Sequence, residues 1–218
     1  MVAQRLSVVV PALNESAGIR AALEALAPLR ARGHEVIVVD GGSSDGTAQL
    51  AAGWCDQLLV TARGRALQMN AGARAASGQM LVFLHADTRL PADFVIPEAS
   101  LWGRFDVHIE GRHPLLKVVA WSMNLRSRLT GIATGDQAMF VRRELFPGFP
   151  EIALMEDIAL SRLLRRRGRP TCLRDRVVTS GRRWESRGVL RTIALMWGLR
   201  LLYFLGAAPA RLARLYKS

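Results

Sequence analysis

The sequence predicts an α/β fold, a mostly parallel central sheet flanked by helices, with a C-terminal helical segment after it. Two observations predict it. Through residues 6–87, short runs of Val, Leu and Ile alternate with stretches of helical spacing, the pattern of right-handed βαβ units. The strand-like runs are also apolar at every position, as strands covered on both faces must be. At 218 residues, half of them hydrophobic, the chain suits one large domain or a domain with an appendage.

The elements follow in order. "LSVVVPAL" (Leu6–Leu13) is a buried strand that ends near a proline. "NESAGIRAALEALAPL" reads as a helix, with Ile19, Leu23 and Leu26 at helical spacing behind an Asn/Glu/Ser cluster. "EVIVVD" (Glu35–Asp40) is a second buried strand, and "SDGTAQLAAGWC" starts a second helix. "QLLVTA" (Gln57–Ala62) is a third strand, "RALQMNAGARAAS" a helix closed by Gly78, and "QMLVFLHAD" (Gln79–Asp87) a fourth strand. The rhythm breaks after Asp93. "WGRFDVHIEG" alternates like a half-exposed strand, "PLLKVVAWSMNLRSRL" is helical, and "DQAMFVRRELF" is a strand. "MEDIALSRLLRRRG" is a helix with acids first and arginines last, the order that suits the helix dipole.

Charge divides the chain. Residues 1–161 carry 15 basic and 16 acidic side chains, net −1; residues 162–218 carry 15 basic and 2 acidic, net +13. The whole excess of +12 therefore lies in the last quarter. Such a block serves nucleic acid, anionic lipid or an anionic substrate. Aromatic residues are sparse before the tail and no nucleic-acid-reading motif is present, so a nucleic-acid partner is not expected. Cys55 and Cys172 stand far apart, without metal-ligand spacing or a disulfide framework. The apolar run Leu6–Val10 is too short for a secretory leader, and a cytoplasmic location is expected.

Ligands of parallel α/β sheets bind outside the carboxyl ends of the strands. Three acid-bearing segments fall there: "PALNE" after the first strand, "DGGSSDGT" after the second and "HADT" after the fourth. None is a phosphate loop of the GxxxxGK[ST] type and none is GxGxxG. The helix start after Asp45 is a candidate phosphate seat. Acids in all three loops would repel a bare phosphate, but they suit a phosphate that arrives with a divalent cation. Mg²⁺ in particular takes one or two carboxylates and fills the rest of its shell with phosphate oxygens and water.

The segments "SVVVPALNES", "VIVVDGGSSDGT", "RALQMNAG", "FLHADT" and "MEDIALSRLLRRRG" resemble, in order and spacing, the family 2 glycosyltransferases of the GT-A fold, over about residues 5–185. "HADT", "GDQAMF" and "TSGRRWE" look most like a small bacterial subgroup associated with radical-SAM and selenium-domain proteins, sometimes labelled arsenosugar biosynthesis.

The resemblance implies a Rossmann-like GT-A domain over residues 1–185, with residues 186–218 as a separate basic, apolar segment. It also implies an inverting transfer from a nucleotide sugar, a UDP-sugar first, with Mg²⁺ or Mn²⁺. Pro11, Leu13, Asn14, Glu15, Asp40 and Gly41 would hold the base and ribose. Asp45 would line the base pocket, Arg65 and Asn70 would lie near the base or diphosphate, and Asp87, with Ala86 beside it, would bind the metal. Asp157 would be the general base, with Glu156 the other candidate of the pair. Gly135, Asp136, Gln137, Arg183 and Trp184 would meet the acceptor. His85 occupies the first acid position of the family's DxD motif. "SGRRW" keeps only the Arg and Trp of the processive QxxRW motif, which argues against a polymer-extending synthase.

The tail "VLRTIALMWGLRLLYFLGAA" (Val189–Ala208) is apolar, but Arg191 and Arg200 cut it into runs too short to span a bilayer. Two readings stay open: a segment lying on an anionic membrane surface, or a helical hairpin packed on the domain or on a second copy in a homodimer. The acceptor is correspondingly open between a small hydroxyl-bearing molecule and a lipid phosphate. The non-enzymatic alternative is an anionic-lipid or nucleic-acid binder.

Overall fold

A computed structural model describes residues 4–217 of the chain. One mixed eight-stranded sheet forms the centre. Its strands are β1 (Leu6–Ala12), β2 (Glu35–Asp40), β3 (Gln57–Val60), β4 (Met80–Phe83), β5 (Thr88–Arg89), β6 (Trp102–Glu110), β7 (Met139–Arg142) and β8 (Thr171–Ser180). Their order is β3-β2-β1-β4-β7-β6-β8-β5. The first half, β3 to β4, is parallel; β7 then runs antiparallel to both β4 and β6, and β6 pairs parallel with β8.

The helices are α1 (Ile19–Glu24), α2 (Ala27–Ala31), α3 (Thr47–Ala51), α4 (Arg65–Ala75), α5 (Leu115–Thr130), α6 (Glu156–Arg165), α7 (Arg182–Arg187), α8 (Val189–Phe204) and α9 (Pro209–Lys217).

The uniform apolar character of β1 and β2 is explained by the two cores they separate. Val8, Val10, Val36 and Val38 face a core shared with Ile19, Leu23 and Leu29 of α1 and α2, and with Leu116 and Met123 of α5. Val9, Ile37 and Val39 face the opposite core, with Ala66, Met69 and Ala73 of α4 and Leu160 and Leu164 of α6. Gly72 lets α4 lie against the sheet, since a Cβ there would overlap the side chain of Val9.

The helix expected over residues 14–29 is instead two short ones. Pro28 sits in the first turn of α2, where its missing N–H costs nothing, and the chain bends just before it. The strand β8 has no counterpart in the sequence reading. Arg174 and Arg176 interrupt its apolar pattern, and its burial alternates irregularly.

The C-terminal segment folds back on the domain. Leu199 of α8 and Leu212 of α9 are buried with Ile132, Met155 and Ile158, close to the start of α6. Arg183 Nη1 donates to Tyr216 Oη at 2.7 Å, and Arg187 Nη1 to the Tyr216 carbonyl at 3.2 Å. Gly206 and Pro209 separate the two helices of this hairpin. Among the described residues, no helix is long and apolar enough to cross a membrane.

Candidate active site

A cavity of about 850 Å³ opens at the carboxyl ends of β1 and β4. Pro11, Leu13 and Glu15 line it from the first loop, Ala86 and Asp87 from the loop after β4, and Arg65 from the start of α4. Gly135, Asp136, Glu156 and Asp157 line it from the far side, and Arg183 from α7. Segments separated by up to 172 residues in sequence therefore meet around one space.

Other residues singled out from the sequence make hydrogen bonds within the protein. Asp40 is buried, and its Oδ2 accepts from Gly42 N at 2.9 Å and Ser43 N at 2.8 Å. Asp45 accepts from Ser16 N at 3.0 Å and from Thr47 N at 3.1 Å. The bonds from Thr47 and Ser16 hold its carboxyl well below the usual carboxylate range. At the start of the five-residue α3, the Thr47 N–H is thus taken by Asp45. Asn14 joins the same lattice: its N–H donates to Ser43 Oγ and its Oδ1 accepts from Ser44 N. Gly41 N–H donates to the Ala12 carbonyl, and a larger residue at 41 would press on Gln68. These residues zip the first two loops together and shape the cavity wall.

Asn70 likewise clamps the backbone of Phe149, donating at 2.9 Å and accepting at 2.7 Å. Gln137 is fully buried, its amide donating to Asn124 Oδ1 and Ser127 Oγ. Trp184 packs against the core on the α5 side. All are satisfied within the protein and lie away from the cavity.

Asp87 differs from Asp40 and Asp45. Like Asp45 it is exposed, but among the described residues its carboxylate has only a long 3.4 Å contact with Thr88 Oγ1. Burial, and then the negative charge of Asp87, pushes the Glu15 carboxyl above its ordinary range, against the pull of Arg182 and Arg183. Two acids that crowd each other in an open site fit a divalent cation. Among the described residues, no group of three or more His, Cys, Asp or Glu is placed to hold a metal on its own. The donor set therefore suits Mg²⁺ or Mn²⁺ held by Asp87 and by the phosphates that arrive with it.

The opposite wall is built by contacts that the sequence did not announce. Gly135 lets the ring of His85 lie on its backbone; a Cβ at 135 would overlap the imidazole. His85 Nδ1 lies 3.3 Å from Asp136 Oδ1. Burial would raise the Asp136 carboxyl, but the His85 hydrogen bond and charge, with Arg65, outweigh it and hold the carboxyl below its ordinary value. Gly135 N–H donates to Asp157 Oδ2 at 2.9 Å, and Ile158 N–H to Asp157 Oδ1 at 2.7 Å. Glu156 is buried, with Oε1 3.2 Å from Arg65 Nη1. Burial raises its carboxyl above the ordinary value, although Arg65 opposes the shift. Met155, in the left-handed region at φ 71°, turns the chain so that both acids of α6 reach the cavity.

The hairpin of α8 and α9 completes the wall with Met196, Arg200, Ala213 and Tyr216. Of these, only Arg200 stood out in the sequence, as an interruption of an apolar run.

Residues 7–108 match the model of the family described as glycosyl transferase family 2. A PGL/p-HBAD biosynthesis glycosyltransferase of Mycobacterium bovis (strain BCG / Pasteur 1173P2) is 34% identical over 114 residues. The match covers 49% of this chain and 44% of that protein, so the chain spans less than half the length of the curated relatives it matches.

Among solved structures, S. aureus TarS 1-349 in complex with UDP superposes with a TM-score of 0.63 at 22% identity, over 81% of this chain and 60% of that one. The mannosyltransferase PcManGT from Pyrobaculum calidifontis, in complex with GDP-Man and Mn²⁺, gives 0.65 at 21% identity, over 99% of this chain and 70% of that one. Glucosyl-3-phosphoglycerate synthase from Mycobacterium tuberculosis, in complex with Mn²⁺ and UDP-glucose, gives 0.58 at 22% identity, over 81% and 70%. The family match runs from β1 into β6 and the likeness of fold extends over most of the sheet: residues 7–108 are similar to glycosyl transferase family 2, and the chain has the GT-A fold of these solved glycosyltransferases.

Proposed function

We propose that the chain transfers a sugar from a nucleotide diphosphate sugar, with UDP as the nucleotide, to a small hydroxyl-bearing acceptor, inverting the anomeric carbon. One observation carries the reading: an exposed, almost unpartnered carboxylate, Asp87, faces across one cavity an oriented carboxylate, Asp157. The donor would lie along the Pro11–Glu15 loop with its diphosphate at Asp87. Mg²⁺ or Mn²⁺ held there supplies stabilisation of the charge on the departing diphosphate. Arg183 adds positive charge on the same side. Asp157, fixed by the Gly135 and Ile158 N–H groups, takes the acceptor's hydroxyl proton as the oxygen attacks the anomeric carbon and the diphosphate leaves. The wording of "HADT", "GDQAMF" and "TSGRRWE" speaks for kinship with the small bacterial subgroup named above, which belongs to this proposal.

UDP with Mn²⁺ is expected to raise the melting temperature, whereas UDP with a chelator, or duplex DNA, leaves it nearly unchanged. Stabilisation by DNA and none by UDP with Mn²⁺ would return the protein to the class of anion-surface binders.

A second reading, in which the protein works on an anionic membrane surface and glycosylates a lipid phosphate, is favoured by one feature. On α5, Val118, Trp121, Leu125 and Leu129 are exposed; on the adjoining α8, Leu190, Trp197 and Leu201 are exposed, with Leu205 just past its end. Both sets follow helical spacing, and the most basic quarter of the chain lies around the second. Under this reading the protein co-sediments with phosphatidylglycerol vesicles, and the pair Trp121→Glu and Trp197→Glu releases it without loss of UDP binding. A protein that ignores the vesicles but forms a dimer broken by the same pair uses this face for a second copy instead.

A further inference from the structure

Two arginines of the second half leave buried donors unpaired among the described residues. The Nε and Nη2 atoms of Arg126, on α5, and the Nε of Arg200, on α8, are shut off from solvent with no hydrogen-bond partner. Neither guanidinium forms an ion pair among the described residues. Arg104, which shares the α5 side, also leaves its Nε buried without a partner, but Asp106 and the Asn124 carbonyl receive its two Nη atoms. Leaving such donors buried and unmade is costly, the more so when they are charged, so native proteins rarely keep them without a partner.

The two groups are also neighbours. Burial, and then the repulsion of Arg200, brings the Arg126 guanidinium down to about 10. Arg200 is lowered by burial as well, and both feel the attraction of Asp157 and Asp136. Glu15, beside Asp87, interacts instead with Arg182 and Arg183. Arg183 acts on both Glu15 and Asp136, whereas Arg126 and Arg200 act on Asp157 and Asp136, beside the proposed base.

We propose that Arg126 and Arg200 form an anion subsite that receives a phosphate monoester carried by the acceptor. Arg200 lines the cavity and brings this positive charge to it. Two guanidinium forks match the charge of a phosphate monoester, about −1.5 to −2 at neutral pH, and its three oxygens. Held there, the phosphate acts as a handle that brings a separate hydroxyl of the same molecule to Asp157. The subsite rests on the functional reading above, since it takes the cavity to be where donor and acceptor meet.

The test is binding of glycerol phosphate, measured by calorimetry to the full chain already saturated with UDP and Mn²⁺. Wild type is expected to bind it. Arg200→Gln and Arg126→Gln are each expected to weaken it at least about tenfold, with Arg200→Lys in between, while affinity for UDP with Mn²⁺ stays within about twofold. Melting temperature without ligand supplies a second readout. Removing one of two unpaired, mutually repelling cations should raise it, whereas an arginine kept for packing would lower it. Should one glutamine variant fail to fold, the lysine variant and the other position still decide.

Vesicles bearing a lipid phosphate, tested in the same way, show whether the monoester is soluble or membrane-borne; either source supports the subsite. Glycerol phosphate that competes with UDP, or that binds all variants equally, overturns it. If UDP with Mn²⁺ fails to bind while the arginine-dependent phosphate binding persists, the donor reading fails and the subsite stands.

Discussion

Asp87→Asn is expected to reduce sugar transfer by about 10²–10³-fold and to leave the fold intact. The fold survives because neighbouring groups, not the Asp87 side chain, hold this segment. The Asp87 carbonyl accepts from Ser180 N at 3.2 Å, and Thr88 Oγ1 donates to Thr179 Oγ1 at 2.9 Å inside the β5–β8 pair. The exposed carboxylate itself contributes little, and such surface changes usually stay within about 0.5 kcal/mol. Its carboxylate is the least partnered acid of the donor side: Glu15 lies near Arg182, His85 stands two residues earlier with Nδ1 beside Asp136, and Asp40 and Asp45 are held by their own loops. An amide keeps the shape but gives up most of the attraction for a divalent cation. If the cation stabilises the leaving diphosphate by several kcal/mol, losing its anchor removes two or three tenfold steps of rate. Mn²⁺ titration in the presence of UDP checks this directly: the variant should need far more metal for the same stabilisation. Unchanged turnover and an unchanged metal requirement would falsify the assignment of Asp87.

The first half of the molecule was legible because its signals are local. β2 spans Glu35–Asp40 as its apolar run announces, and β1 needs only one residue fewer than expected. The strand β8 was not legible, because its exposed face carries Arg174 and Arg176 and its pairing with β6 is interrupted by an irregularity between Arg104 and Asp106.

In the site, an acid at a strand end reads the same whether it faces a ligand or ties its own loop. Asp87 and Asp40 look alike in sequence and differ only in whether neighbouring N–H groups claim them. The His85–Gly135 stacking and the Arg126–Arg200 pair join segments 50 and 74 residues apart, and nothing local marks them. The tail offered two readings, and the structure folds it back onto Ile132, Met155 and Ile158 as a hairpin.

Asp157→Asn is expected to lower kcat by about 10²-fold or more while changing the affinity for UDP with Mn²⁺ by less than about twofold. The geometry explains both halves. Each Asp157 oxygen already accepts one backbone N–H, from Gly135 and from Ile158. Those bonds fix the carboxylate plane and leave a lone pair on each oxygen for an acceptor hydroxyl. Asn offers a single acceptor oxygen, so one of the two N–H groups must face an amide N–H instead. A stability loss of about 1 kcal/mol should therefore accompany the kinetic loss, and a melting curve separates the two.

Glu156 makes a different case. It is buried against Arg65, and burial already raises its carboxyl, so Glu156→Gln removes a charge that the site holds at some cost. That change should leave kcat within about tenfold and act mainly through the orientation of Arg65. The pH profile decides between the two acids. With Asp157 as base, the acidic limb of kcat/KM is lost in Asp157→Asn and kept in Glu156→Gln. The reverse pattern would move the base to Glu156. If the acidic limb survives in both variants, the nucleophile is already an anion, as a lipid phosphate would be, and the small hydroxyl acceptor would have to be given up.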